Sequence, residues 1–197
     1  VIAVIAIGAA VLAGYFRSQE MEAQKVLAEG IAVMQAQAGE EVRATSTTYE
    51  TDEARIEAAE TIFRKVVDEY GSRDAADVAL LYLAQIEASR GEFESAREKF
   101  EGFIDDYPDH ILAGSAELSL INLRLAAGEI DQVIADLQGR IDGEEERLPR
   151  PALLAILAQA YDMKGENDKA NEAYRRIANE YPDSPYSLDA QRRLAQS

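Results

Sequence analysis

SRGEFESAREKF (Ser89–Phe100), AAGEIDQVIADL (Ala126–Leu137) and MKGENDKANEAY (Met163–Tyr174) align without a gap. Their glycines, Gly91, Gly128 and Gly165, stand 37 residues apart. Five residues after each glycine come Ala96, Val133 and Ala170; nine after come Phe100, Leu137 and Tyr174. Each glycine follows an apolar run of helical spacing and precedes an acidic residue. That is the pattern of a helix C-cap, where glycine takes the left-handed conformation without a Cβ penalty.

The period extends backwards. Ala59, Phe63 and Tyr70 lie 37 residues before Ala96, Phe100 and Tyr107, so Asp52–Tyr70 reads as the second helix of an earlier repeat. Its first helix is expected over Gln19–Ala38, where Val26, Leu27, Ile31 and Met34 keep helical spacing. The polar, Thr-rich stretch between them, about 39–52, reads as a mobile loop inserted in the first hairpin. Each repeat is thus two helices joined by a tight turn. In the helix after Gly91, the residues Phe93, Ala96, Phe100, Phe103, Ile104 and Tyr107 form one stripe. A lone hairpin cannot bury such a stripe, whereas stacked hairpins can, which is the logic of a solenoid. Small Ala at 59, 96 and 170 lets helices approach closely. The third repeat departs from the rest, with Val133 in place of Ala, Glu145 where Pro is expected, and a loop, DGEEERLPRP, before the next helix. At the end, about 185–197, a capping helix is expected, with Ser184 as its N-cap, Pro185 in its first turn, and Tyr186, Ala190 and Leu194 packing back.

The fold class implied is all-α, a helical-hairpin solenoid over 19–197 behind a single N-terminal transmembrane helix over 1–18. That helix is read from VIAVIAIGAAVLAGYF, which carries no charge. Sixteen helical residues span roughly 24 Å, slightly short of a bilayer core. Tyr15 and Phe16 followed by Arg17 resemble an interfacial belt with a charged stop. A secretory signal peptide is the competing reading, with Val11-Leu12-Ala13 as its cleavage site. The positive-inside rule does not orient the segment without its upstream flank.

Composition removes several function classes. The net charge is −17, all of it carried from Arg17 onward, which repels nucleic acid phosphates and anionic membrane surfaces. No Cys, no Trp and one His leave zinc and iron–sulfur sites without their usual ligands, and a Ser-His-Asp triad would need His110. His110 closes DDYPDH (Asp105–His110), a cluster with the look of a metal site. The period gives a different account: NEYPDS (Asn179–Ser184) lies 74 residues on, matching Tyr107, Pro108 and Asp109. The Tyr closes a stripe, the Pro stops a helix and the Asp can cap the next one, with His110 at a variable capping position. GEEE (Gly143–Glu146) and DEYGSRD (Asp68–Asp74) lack calcium-loop spacing, and no phosphate-binding glycine loop is present. No cofactor, metal or small-molecule substrate is expected, and no enzyme activity.

The repeats resemble the tetratricopeptide repeat. Ala84, Gly91, Ala96, Phe100 and Pro108 fit one copy; Ala158, Gly165, Ala170, Tyr174 and Pro182 fit another, with Tyr161 at the aromatic position of the first helix. The period is 37 where the family has 34. The resemblance covers roughly Gln19–Ser197 and implies a protein-binding concave face lined by first helices. At the family's backbone-contacting position stand Gln85, Asn122 and Gln159, all carboxamides, able both to donate and to accept. Leu81, Leu118 and Ala155 lie four residues earlier, and Asp162 and Met163 extend the row. The bland alternative is that these amides face water or tie repeats together. The Lys and Arg set of a carboxylate clamp is not there. In layout, one anchor with an acidic repeat domain and EYPDSPY looks like bacterial cell-envelope repeat proteins, and most of all the single-pass ancillary subunits of the Sec translocon. That likeness implies an inner-membrane location, a periplasmic repeat domain and protein partners in a membrane complex, as accessory subunit or adaptor. A periplasmic chaperone holding unfolded chains is the alternative function.

Overall fold

The computed structural model describes residues 2–71, 73–143 and 147–196, with side chains from Gly14 onward. The chain forms two compact units, Val1–Asp106 and Tyr107–Ser197. The first holds α1 (Ile2–Gln35), a two-residue ladder of β1 (Glu41–Val42) and β2 (Thr47–Thr48), α2 (Asp52–Tyr70), α3 (Asp74–Ser89) and α4 (Phe93–Asp106). The second holds α5 (Ala113–Ala126), α6 (Ile130–Asp142), α7 (Arg150–Lys164), α8 (Asn167–Glu180) and α9 (Ser187–Leu194).

The repeat period is visible in the helix starts. The helices α4, α6 and α8 begin at 93, 130 and 167, and α5, α7 and α9 at 113, 150 and 187. The turn explains the first series. Gly91, Gly128 and Gly165 have φ of 81°, 87° and 73°. Each makes the same pair of bonds. The glycine N–H donates to the carbonyl of Ala88, Leu125 or Asp162, and the following N–H to that of Glu87, Arg124 or Tyr161. This is a Schellman closure, which satisfies two of the carbonyls a helix end leaves over.

The seams between repeats recur as well. The N–H of Arg73, His110 and Ser184 donates to the carbonyl of Tyr70, Tyr107 and Tyr181, and the carbonyls of Arg73, His110 and Ser184 accept from Ala76, Ala113 and Ser187. Two expected caps are not formed. The N-cap of α5 is Leu112, with no side-chain cap, so Asp109 does not serve. His110 instead accepts the Leu112 N–H at Nδ1, 3.1 Å away. The N-cap of α9 is Tyr186, and the Ser184 hydroxyl is buried without a hydrogen-bond partner, so Ser184 does not cap either. A backbone turn has already engaged both residues ahead of the helix. Tyr107 lies outside α4 and is 39% exposed, where a stripe-closing residue would be covered.

Unit 1 buries Ala23, Val26, Leu27 and Val33 of α1 with Ala59, Phe63 and Val66 of α2 and Ala75, Ala79, Leu83 and Ile86 of α3. Gly30 permits the approach of α1 to α2: a Cβ there would stand 2.7 Å from Phe63 Cε1. Phe63 stacks on Tyr82 at 4.8 Å. The guanidinium of Arg55 closes the end of α1, donating to the Met34 carbonyl while it pairs with Asp52 at 3.0 Å. The stretch expected as a loop carries the ladder Glu41↔Thr48 and Val42↔Thr47, with Val42 buried. Thr51 caps α2, accepting from the Ala54 N–H at 3.1 Å.

Unit 2 buries Val133, Leu137 and Ile141 of α6 with Leu153, Leu154 and Leu157 of α7 and Ala170, Tyr174 and Ile177 of α8. Ala190 of α9 is buried against them, and Tyr186 and Leu194 pack on the same cluster, as the capping role requires. The Glu144–Glu146 part of GEEE and the irregular Glu145 lie outside the described residues.

From Ile2 on, the expected anchor is continuous with the first repeat helix, since α1 runs unbroken from Ile2 to Gln35. Among the described residues no helix is long and apolar enough to cross a membrane. Most of the expected span, the side chains of 1–13, falls outside the described side chains. Tyr15 and Phe16 are exposed, and the Arg73 guanidinium lies 4.9 Å from the Phe16 ring centroid.

Candidate functional site

In unit 2 the helices α5, α7 and α9 form three walls of a groove of about 300 Å³. The side chains Leu118 and Asn122 come from α5, Ala155 and Gln159 from α7, and Tyr186, Asp189 and Arg193 from the N-cap, first turn and last turn of α9, with Tyr174 of α8 behind them. The three walls share a cause. Since α5, α7 and α9 begin 37 residues apart, α9 takes the place a further first helix would take. Asn122 and Gln159 are exposed, and the Asn122 amide donates to the Leu118 carbonyl at 3.0 Å. Leu118 and Ala155 are half-buried, so part of each faces the groove.

Behind the amides is a small polar network. The Tyr174 hydroxyl donates to the Asp162 carboxylate at 2.9 Å, and Arg193 stands 4.0 Å from the same oxygen. Burial first, and then the bond to Asp162, push the Tyr174 hydroxyl up to about 12. It stays protonated at any physiological pH and acts as a fixed donor. Asp162 therefore orients the groove wall. Met163 sits at the end of α7, half-exposed.

Unit 1 holds the remaining members of the row. Gln85 is exposed on α3. Leu81 is 6% exposed, too covered to receive an apolar side chain from a partner. Spacing alone does not separate it from Leu118, because burial depends on what neighbours a helix face. Sequence reasoning missed Tyr186, Asp189 and Arg193 as groove residues. The signal is present: they stand 37 residues after Pro149, Ala152 and Ile156 of α7 and its N-cap.

A second depression in unit 2, about 260 Å³, lies between α6, α7 and α8. In it Gln138 donates to the Tyr161 hydroxyl at 2.9 Å, and Lys169 stands over the Tyr161 ring and pairs with Glu166; Asp142, Glu172 and Arg176 also line it. Among the described residues no group of three His, Cys, Asp or Glu side chains is arranged to hold a metal ion.

Comparison with known proteins agrees with the helical-repeat fold. The model of the tetratricopeptide repeat-like domain matches residues 1–185. A Podosopora anserina protein, described as a putative kinesin light chain with nearly identical TPR-like repeats, superposes with a TM-score of 0.53 at 17% identity, covering 92% of this chain and 84% of its own. A substituted form of that protein gives 0.52 at 16% identity over the same shares. At such identity the likeness concerns the fold alone. No curated protein sequence matches the chain.

Proposed function

We infer the function from the premise that the chain belongs to the tetratricopeptide repeat-like domain family. Repeats of this kind are typically non-enzymatic scaffolds that bind other proteins. The reading supported best here is a scaffold that holds an extended protein segment along the α5–α7–α9 groove. The observation that carries it is the pair of exposed carboxamides, Asn122 and Gln159, at equivalent positions on two walls of one groove. A carboxamide can bond both the N–H and the C=O of a passing backbone, so it recognises a chain with little regard to side chains. Tyr186, half-buried at the groove edge, adds apolar area at low entropic cost.

The scaffold is proposed to work at a membrane, as an accessory subunit or adaptor of a bacterial inner-membrane complex of the translocon type, with residues 1–18 as anchor and the repeats on the periplasmic side. What supports this is the uncharged run to Phe16 and its continuity with α1. The layout of ancillary Sec subunits supplies the type of complex. Mild detergent extraction from native membranes tests it. A stoichiometric membrane complex should co-purify, and Asn122→Ala with Gln159→Ala should reduce the yield of that complex about tenfold if each amide is worth a typical hydrogen bond. Unchanged yield from the double variant would remove the groove from the account. Suppression of aggregation of unrelated unfolded proteins, without a stoichiometric complex, would favour the chaperone reading.

A further inference from the structure

We propose that unit 1 rests directly on the lipid headgroups, with Phe16, Arg17 and Arg73 as its contact surface. The inference rests on the anchor reading above. Four observations carry it. First, no linker separates the uncharged segment from the repeats. The helix α1 is unbroken from Ile2 to Gln35, with neither Gly nor Pro between Phe16 and Glu29. Second, the same helix is fixed into the unit: Ala23, Val26, Leu27 and Val33 are buried in the unit 1 core. A helix clamped at one end transmits its direction to the other.

Third, the start of α3 is brought back to the level where the uncharged run ends. Arg73, at the N-cap of α3, places its guanidinium 4.9 Å from the Phe16 ring centroid. Fourth, the chemistry at that level suits a phosphate layer. Tyr15 and Phe16 are exposed aromatics, which favour the headgroup zone. Arg17 follows the run directly, Arg73 lies beside its last ring, and the first acid on α1, Glu20, comes nearly a turn after Arg17. Arg73 can stack on Phe16 and bond phosphate oxygens together, since a guanidinium uses its face for one and its edge for the other. Arg17 and Arg73 then meet the phosphate layer, with Asp74 beside Arg73 at the same level.

The chain contains no Cys, so single labels can be placed freely. The full chain is reconstituted in phosphatidylcholine–phosphatidylglycerol vesicles that contain headgroup-nitroxide lipid. A fluorophore is attached at Asp74→Cys, next to Arg73, or at Gln35→Cys, at the other end of α1 and about 29 Å further along the helix. The expected result is flotation with the vesicles and quenching several-fold stronger at 74 than at 35. Ser18→Pro, which breaks the helix between anchor and unit, should abolish the difference. Flotation with equal quenching at the two positions overturns this inference and leaves the anchor standing. Quenching that stays unequal in Ser18→Pro overturns the rigid coupling. Failure to float overturns the anchor reading and this inference together.

Discussion

The hairpin α3/α4 in unit 1 and the hairpin α5/α6 in unit 2 share one turn and differ in how their helices meet. Both close through a Schellman pair at Gly91 and Gly128. At buried positions 37 residues apart, the first has Ala84 and Ala96, and the second has Ile121 and Val133. The backbones of α5 and α6 accordingly approach over a shorter stretch than those of α3 and α4. The polar link between helices is also reversed. Glu87 on α3 pairs with Lys99 on α4 at 2.8 Å, while Arg124 on α5 pairs with Asp136 on α6 at 3.1 Å, each 37 residues on. The turn sets the register, the two small or large residues set the spacing, and the ion pair needs only opposite signs.

The contrast can be broken most sharply at its large residues. Ile121→Ala should cost about 3 kcal/mol in urea unfolding followed by circular dichroism, because the helices are held apart and a cavity remains. A loss below ~1 kcal/mol would mean that α5 and α6 close to the spacing of their neighbours, and that residue size does not govern it. The reverse change, Ala84→Ile, overpacks the tighter hairpin and should cost about 2 kcal/mol in the same assay.

The ion pairs give the next contrast. Glu87 is 5% exposed, so Lys99→Met strands a buried carboxylate and should cost about 2 kcal/mol. Asp136 is far more exposed, and Arg124 keeps a second partner in Glu129 at 3.2 Å. Asp136→Leu should therefore stay below about 1 kcal/mol. Equal losses would show that the two pairs are equivalent in kind. The shared turn supplies a control. Gly91→Ala and Gly128→Ala should each cost about 1 kcal/mol, and by the same amount, since both force a Cβ into the left-handed region.

The smallest effect expected is a pH dependence at Glu60 of unit 1. Burial pushes the Glu60 carboxyl up, but hydrogen bonds from Arg64 at 2.7 Å and Arg90 at 2.5 Å outweigh it, and the net shift is downward. A lowered carboxyl contributes stability above its unfolded value, and that contribution is lost as pH falls through the folded value. Acid titration of Glu60→Gln should thus lie closer to the parent at low pH than at pH 7. A constant gap would assign the effect to packing.

Much of this architecture is legible without any coordinate. The 37-residue spacing locates the turns, and it assigns Asp52–Tyr70 the bounds that α2 has. Two of the three amides fall on one groove by the same spacing. Features that depend on a second element are not legible in this way. Ser184 and Asp109 have the side chains of N-caps, yet the backbone turn ahead of each helix shifts its start beyond their reach. Leu81 and Leu118 hold equivalent positions, but one is covered and the other half-open.

The sequence by itself determined the period, the helix boundaries near each glycine and the apolar face of each helix. These are local matters, decided by backbone conformation at glycine and by which side chains leave water within one turn. Only the tertiary structure decided how closely each helix pair meets, which amides share a groove, and that Arg73 comes to rest beside Phe16, 57 residues earlier in the chain. Such outcomes arise from the close packing of side chains from distant segments, where the size and charge of one residue set the place of another.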